Sequence, residues 1–338
     1  MPQNEEMQYG GQAVIEGVMM RSPRFYAVAC RAPNGKIVLH TESISQSWIK
    51  RAGLLKIPFL RGTFALLDAL MLGIKALNFS AKIQTEWTNP KEMAESKDGE
   101  LRTNEVITAS PQMEGWMKAA VVGSMIVGLA LGIGLFKVTP IWLAQVFTYF
   151  GIEGGLALNL VEGLLKAVIF LLYVLLIGFL KDIHEVFKYH GAEHKAINTL
   201  EADEPLTLEN ARKQTRLHPR CGTSFMIVVL LISIIGFTLV PRMLIEGSIV
   251  VNLFLRTILQ LALLPLIAGI AYEAIRFAGK HRNNRWIRAV FFPGLMTQYL
   301  TTREPREDQI QVALVALQAV LEKEEETKKE TPTTMQAV

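Results

Sequence analysis

Apolar residues in this chain of 338 residues come in long blocks, while the charges, 20% of all residues, gather between them. Crossing about 30 Å of hydrocarbon as a helix takes about 20 residues at 1.5 Å each. Trp116 to Phe136, Leu156 to Leu180, Thr223 to Val240 and Ile249 to Ala271 read as four such spans, the third stopped by Pro241 and the fourth kinked at Pro265. Gly128-x-x-x-Gly132 in the first suits close helix packing, and the aromatic patch from Pro140 to Phe150 reads as interfacial. The short loops near Lys137 and Arg242 carry little positive charge, whereas the segment from Lys181 to Arg220 and the chain after Arg276 are strongly basic. The positive-inside rule then places the basic segments and both termini in the cytosol.

The predicted fold class is mainly α: a polytopic helical membrane protein with about four transmembrane helices, an interfacial amphipathic helix and a small N-terminal β element. Phe25 to Ala32 and Lys36 to Glu42 read as strands joined at Asn34-Gly35, a hairpin signal. Leu54 to Ala81 is apolar, but Arg61, Asp68 and Lys75 recur every seven residues and fall on one helical face. That favours an amphipathic helix in the interface over a span with three central charges. Trp87 to Gly115 reads as a polar linker, Trp286 to Leu300 as an interfacial or re-entrant segment broken by Pro293-Gly294, and Gln309 to Glu326 as an amphipathic helix before a charged tail. The domain boundaries follow: an N-terminal β element over 1–48, interfacial helix and linker over 49–115, a membrane domain over 116–300 with a His-rich loop at 181–222, and a cytosolic helix and tail over 301–338. Met1 to Gly11 lacks the basic and apolar regions of a signal peptide. A net charge of +4 with no basic, aromatic-studded stripe argues against nucleic acid. Cys30 and Cys221 fall in segments assigned to the cytosol, so no disulfide framework is expected.

Polar residues also occur inside two spans. Asn159, Glu162 and Lys166 share a face of the second, and Asn252, Arg256 and Gln260 repeat every four residues in the fourth. Glu162 and Arg256 are expected at similar depth and are predicted to pair, because each alone is costly in a bilayer.

Three of the six histidines lie between His184 and His194. His190-x-x-Glu193-His194 has the order of inverted zinc peptidases. On a helix the two histidines project from one face, and Glu193 on its flank can take a proton from water polarised by a metal. The same loop ends in His218 and Cys221, whose spacing suits a zinc-ligand pair. If His190, His194, His218 and Cys221 all bind, the site is closed and structural. If three bind, one position stays open and Glu193 serves as base. Glu273, at the end of the fourth span, is a further candidate ligand. The donor set favours zinc. A Cys221 nucleophile with His218 or another histidine as base and Arg220 nearby is a third arrangement.

Several segments are familiar together: Gly10 to Arg21, Tyr189 to Lys195, His218 to Ser224, and Pro293 to Pro305. They resemble the YqhQ-like family, bacterial membrane proteins of unknown function described as predicted metal-dependent enzymes. The resemblance implies a multi-pass protein of the bacterial plasma membrane and marks His190, Glu193, His194, His218 and Cys221 as functional positions, with Glu16, Arg21 and Glu273 more weakly. The functional expectation is a metal-dependent hydrolase acting on a membrane-associated substrate. The alternative is a non-catalytic scaffold or accessory factor, for example in membrane-protein biogenesis, whose partner is a protein and whose metal or hydrogen-bonded histidines are structural.

Overall fold

The computed structural model describes residues 9–44, 60–86, 123, 126–152, 154–219, 221–245, 248–280 and 284–330. The expected linker at Trp87 to Gly115, the start of the first span, Arg220, His281 and the end of the tail lie outside the described residues. The chain divides into two compact units: Met1–Lys97, Ile177–Val228 and Ala268–Val338 form the first, and Asp98–Leu176 with Val229–Ile267 the second.

The first unit is built on a four-stranded antiparallel meander of β1 (Gly10–Val14), β2 (Gly17–Arg21), β3 (Phe25–Arg31) and β4 (Ile37–Ser43). The predicted hairpin is β3–β4, with Gly35 at φ 84° in its turn. The preceding Gly10 to Arg21 segment adds a second hairpin, which the sequence reading did not foresee. Its strands hide their period because β2 is buried on both faces. Val18 and Met20 join Ala27 and Ala29 on one side, while Met19 joins Tyr26, Val28 and Cys30 on the other. Gly17 is obligatory, since a Cβ there would lie 2.3 Å from the Ala29 carbonyl oxygen.

Helix α1 (Leu60–Glu86) covers the Met19 side, burying Leu72 and Ala76. Its charged stripe is turned towards partners: Arg61 makes a bidentate pair with Glu273, Asp68 lies 3.8 Å from Arg21, and Lys75 lies 3.4 Å from Glu42. Leu66, Leu70 and Ile74 remain exposed on the other side. The seven-residue charge repeat therefore marks the face that packs on protein. By length and composition the helix could still cross a membrane over Arg61–Thr85.

The opposite sheet face carries two helices separated by the membrane segments. The first, α4 (Lys181–Glu201), contributes Tyr189, Ala192, Ala196 and Ile197. The second, α9 (Glu307–Glu330), contributes Ile310, Leu314 and Leu317. Glu324 ties α9 to the β2–β3 turn, accepting from Ser22 Oγ at 2.6 Å and Arg24 Nε at 2.7 Å. The short α5 (Leu208–Lys213) and α8 (Arg285–Thr301) complete this unit. Helix α8 runs unbroken through Pro293, where an interruption was expected.

The second unit contains α2 (Ile126–Phe150), α3 (Gly155–Ile177) and much of α6 (Gly222–Thr238) and α7 (Ile249–Lys280). Helix α2 continues through Pro140 instead of ending before it, so the expected interfacial patch is its last part. A π-helical turn at Gly134–Val138 absorbs the proline, and Thr139 Oγ1 donates to the Gly134 carbonyl at 2.9 Å. Gly128 and Gly132 face open space, so the expected small-residue contact does not form among the described residues.

Among the described residues, four helical stretches are long and apolar enough to cross a membrane: Arg61–Thr85, Ile126–Phe150, Gly155–Ile177 and Val251–Ala278. Helix α6, the expected third span, has 17 residues, about 26 Å of rise, at the short end of what can cross. Large apolar side chains such as Leu131, Leu176, Ile235 and Leu261 stand exposed along α2, α3, α6 and α7. Water would penalise such surfaces, whereas lipid would not.

Candidate metal centre

Helix α4 sets His190 and His194 one turn apart, with ring centroids 4.5 Å from each other. Each ring is oriented through Nδ1. His190 Nδ1 lies 2.8 Å from the Thr301 carbonyl oxygen, and His194 Nδ1 lies 2.6 Å from that of Arg216. A carbonyl only accepts, so both neutral rings carry the proton on Nδ1 and leave Nε2 with a free lone pair. His190 Nε2 is 3.2 Å from Cys221 Sγ. His194 Nε2 is buried with no hydrogen-bond partner. Such an orphaned acceptor normally costs stability.

Cys221 arrives just ahead of α6. Its carbonyl accepts from Ser224 N–H at 3.1 Å, and its sulfur accepts from Thr223 N–H at 3.4 Å, so the thiol acts as an N-terminal cap. Ligand atoms of His190, His194 and Cys221 all lie within 4.8 Å of one another. Burial lowers the pKa of His194, which keeps its imidazole neutral and able to coordinate.

Glu193 Oε2 is 3.6 Å from His194 Nε2, and the side chain is almost wholly enclosed. Burial raises its pKa above the usual carboxylate value, opposed by His190, His218 and the Gly11 N–H. The sheet closes over it at β1, where a Cβ on Gly11 would stand 2.7 Å from Glu193 Cγ. Gly11, Arg21, His190, Glu193, His218 and Cys221 help line a cavity of about 140 Å³.

The remaining candidates take other places. His218 is buried beside His194, with ring centroids 5.7 Å apart, but its Nε2 is 3.0 Å from Glu201 Oε1 and it lies outside the three-residue cluster. Glu273 is not brought to the cluster; its carboxylate holds Arg61. Glu16 and Arg21 take separate partners. Glu16, at φ 49°, accepts from Tyr189 Oη at 3.1 Å, and Arg21 faces Asp68. His184 Nδ1 lies 3.4 Å from the Gly178 carbonyl, away from the cluster. Cys30 is a free thiol inside the sheet, raised to about 12 by burial.

Gln298, which lies within the Pro293 to Pro305 segment and was not singled out there, organises the site. Fully buried in α8, it accepts from His218 N–H at 2.8 Å and donates to the His218 carbonyl at 2.7 Å and Ser224 Oγ at 2.9 Å. It thereby fixes the turn that delivers Cys221. The other unforeseen contacts are main-chain carbonyls, those of Thr301 and Arg216. A buried glutamine amid an apolar helix was the one available signal.

Apolar membrane-length helices, a helix-backed sheet and an enclosed His-His-Cys-Glu cluster together define a polytopic membrane protein with a buried polar site beside its sheet. The chain belongs to the family described as "Protein of unknown function (DUF1385)", which matches residues 57–323. It is 33% identical over 314 residues to the uncharacterized protein YqhQ of Bacillus subtilis (strain 168), covering 93% of this chain and 92% of that protein. No solved structure gives a significant match.

Proposed function

We propose that the protein is a membrane-embedded, zinc-dependent hydrolase of the bacterial plasma membrane, with its site facing the cytosol. The observation that carries this reading is the pair of Nδ1-anchored imidazoles whose Nε2 atoms converge with a cysteine sulfur beside an enclosed carboxylate. Two imidazoles and a thiolate suit zinc better than magnesium or calcium. Carbonyl contacts at the far ring nitrogen are the usual support of metal-binding histidines. Bound there, zinc would supply Lewis acidity towards a water or a carbonyl group.

His190, His194 and Cys221 would hold the ion, and three protein ligands would leave a position for substrate. Glu193 accepts the proton of the attacking water and returns it to the leaving group. Its raised pKa brings it closer to the range in which both transfers proceed at neutral pH. His218, held by Glu201 and Gln298, supports the wall of the site. The basic segments flanking it favour the cytosolic side, and the exposed apolar face of α1 favours a membrane-associated substrate.

The nearness of His218 to His194 supports a second reading, a structural site with four protein ligands in a non-catalytic scaffold. X-ray absorption at the zinc edge separates them. Two nitrogens, one sulfur and one exchangeable light atom support the enzyme, whereas three imidazole nitrogens and one sulfur support the scaffold. Glu193→Gln with metal retained and cellular function lost favours catalysis; unchanged function removes Glu193 as base.

A further inference from the structure

In the second unit Lys137, Lys166, Arg242 and Arg256 all lie within electrostatic reach of Glu162, the carboxylate they share among the described residues. Lys166 Nζ lies 2.5 Å from Glu162 Oε1, and Arg256 Nη1 and Nη2 each lie 3.4 Å from Oε2. Arg256 also donates to Asn159 Oδ1 at 3.1 Å, and Lys137 donates to Gln260 Oε1. The expected Glu162–Arg256 pair therefore forms. It accounts for one of the four cations. Glu153 and Glu246 lie outside the described residues.

The hydrogen-bond inventory is lopsided in the same direction. Both oxygens of Glu162 and the side-chain oxygens of Asn159 and Gln260 are already engaged. Three donors are not: Arg256 Nε, Gln260 Nε2 and Arg242 Nη1 are buried without a partner. Arg256 and Gln260 are only 4% and 5% exposed. A cavity of about 40 Å³ lies among Asn159, Glu162, Lys166, Arg256 and Gln260, walled on one side by Leu230, Ile234 and Phe237 of α6. That is room for roughly three waters or one small oxyanion. An interhelical clamp needs one cation per carboxylate, and further cations, even half-buried as Lys137, Lys166 and Arg242 are, cost free energy in a membrane unless something compensates them.

We propose that this cavity binds the phosphate group of an anionic ligand. Phosphate offers acceptors only, matching the donor surplus, and its charge matches the cation excess. The apolar wall would accommodate the acyl portion of a phospholipid, while the polar pocket alone would suit free phosphate. The site is independent of the histidine cluster and of its metal.

The test uses the full chain purified in uncharged detergent, with melting and binding followed against inorganic phosphate, phosphatidylglycerol and, as a phosphate-free control, diacylglycerol. Saturable stabilisation by phosphatidylglycerol alone identifies a lipid headgroup; stabilisation by inorganic phosphate identifies a soluble anion. Diacylglycerol should do neither. Gln260→Leu, which removes the unpartnered Nε2 of a residue lining the cavity, should weaken binding about tenfold or more, the effect of one lost hydrogen bond to a charged group. The neutral pair Glu162→Gln with Arg256→Gln should weaken it further; if that pair does not fold, Gln260→Leu decides alone. Absence of a shift with both phosphate compounds, or undiminished binding by Gln260→Leu, overturns the proposal.

Discussion

Gly191→Ala tests how the proposed metal centre is held. Gly191 lies between His190 and Glu193 on α4, and a Cβ there would stand 2.2 Å from the Arg303 carbonyl oxygen. Ordinary contact begins near 3.4 Å, so helix and strap must separate by about 1.2 Å. Two hydrogen bonds beside Gly191 cross that gap, Arg303 N–H to the Phe187 carbonyl at 2.9 Å and His190 Nδ1 to the Thr301 carbonyl at 2.8 Å, and Lys195 Nζ lies 2.8 Å from Glu304 further along. Overpacking costs about 1–3 kcal/mol. Each hydrogen bond lost adds about 0.5–1.5 kcal/mol, so roughly 2–6 kcal/mol in all is expected if both break. Freed from Thr301, the His190 ring should bind metal about 10–100-fold more weakly. Thermal unfolding in detergent and zinc competition with a chromophoric chelator measure the two effects. Gly128→Ala is the control, because its Cβ meets nothing within 4 Å. If Gly191→Ala matches wild type in both assays, the strap does not position the histidine and this account of the site fails.

Gln298→Leu should destabilise by roughly 2–5 kcal/mol, because it strands the buried His218 amide and carbonyl, and should weaken zinc binding; chemical unfolding and the same competition assay measure both. In metal-free protein, Glu193→Gln should raise the melting temperature at pH 7–8. A carboxyl whose folded pKa is raised contributes its stability below the unfolded value and loses it as pH rises through the folded one, so the gain should vanish in acid. Glu324 runs the other way. Burial alone would raise its pKa, but Arg24 and Ser22 outweigh that and hold it below 4.5. Its contribution is therefore full above the ordinary carboxylate range and lost as pH falls through the depressed value. Hydrogen exchange in α9 should rise in that acid window, and Glu324→Gln should flatten the profile.

How far the sequence was legible depended on whether a residue's job was local. The apolar blocks specify membrane-length helices, and Asn34-Gly35 specifies the β3–β4 turn, because each signal lies within one segment. The helical spacing of His190 and His194 likewise put them on one face. The hairpin from Gly10 to Arg21 was hidden, since β2 is covered on both sides and shows no alternation. Pro140 reads as a helix stop, yet a π-turn and Thr139 accommodate it. Lys137, assigned to a loop, consequently lies inside a helix. Glu273 looked like a ligand on chemistry alone; only the fold brings Arg61 to it. The carbonyls of Thr301 and Arg216, which set the histidine tautomers, belong to the backbone and leave no trace in residue identity.

The most direct test of the central claim is the metal content of protein purified without chelators, measured by elemental mass spectrometry beside His194→Ala and Cys221→Ser. The account predicts about one zinc per wild-type chain and loss of most of it from either variant. A wild-type preparation without stoichiometric transition metal, or variants that retain it in full, would contradict a metal centre at His190, His194 and Cys221.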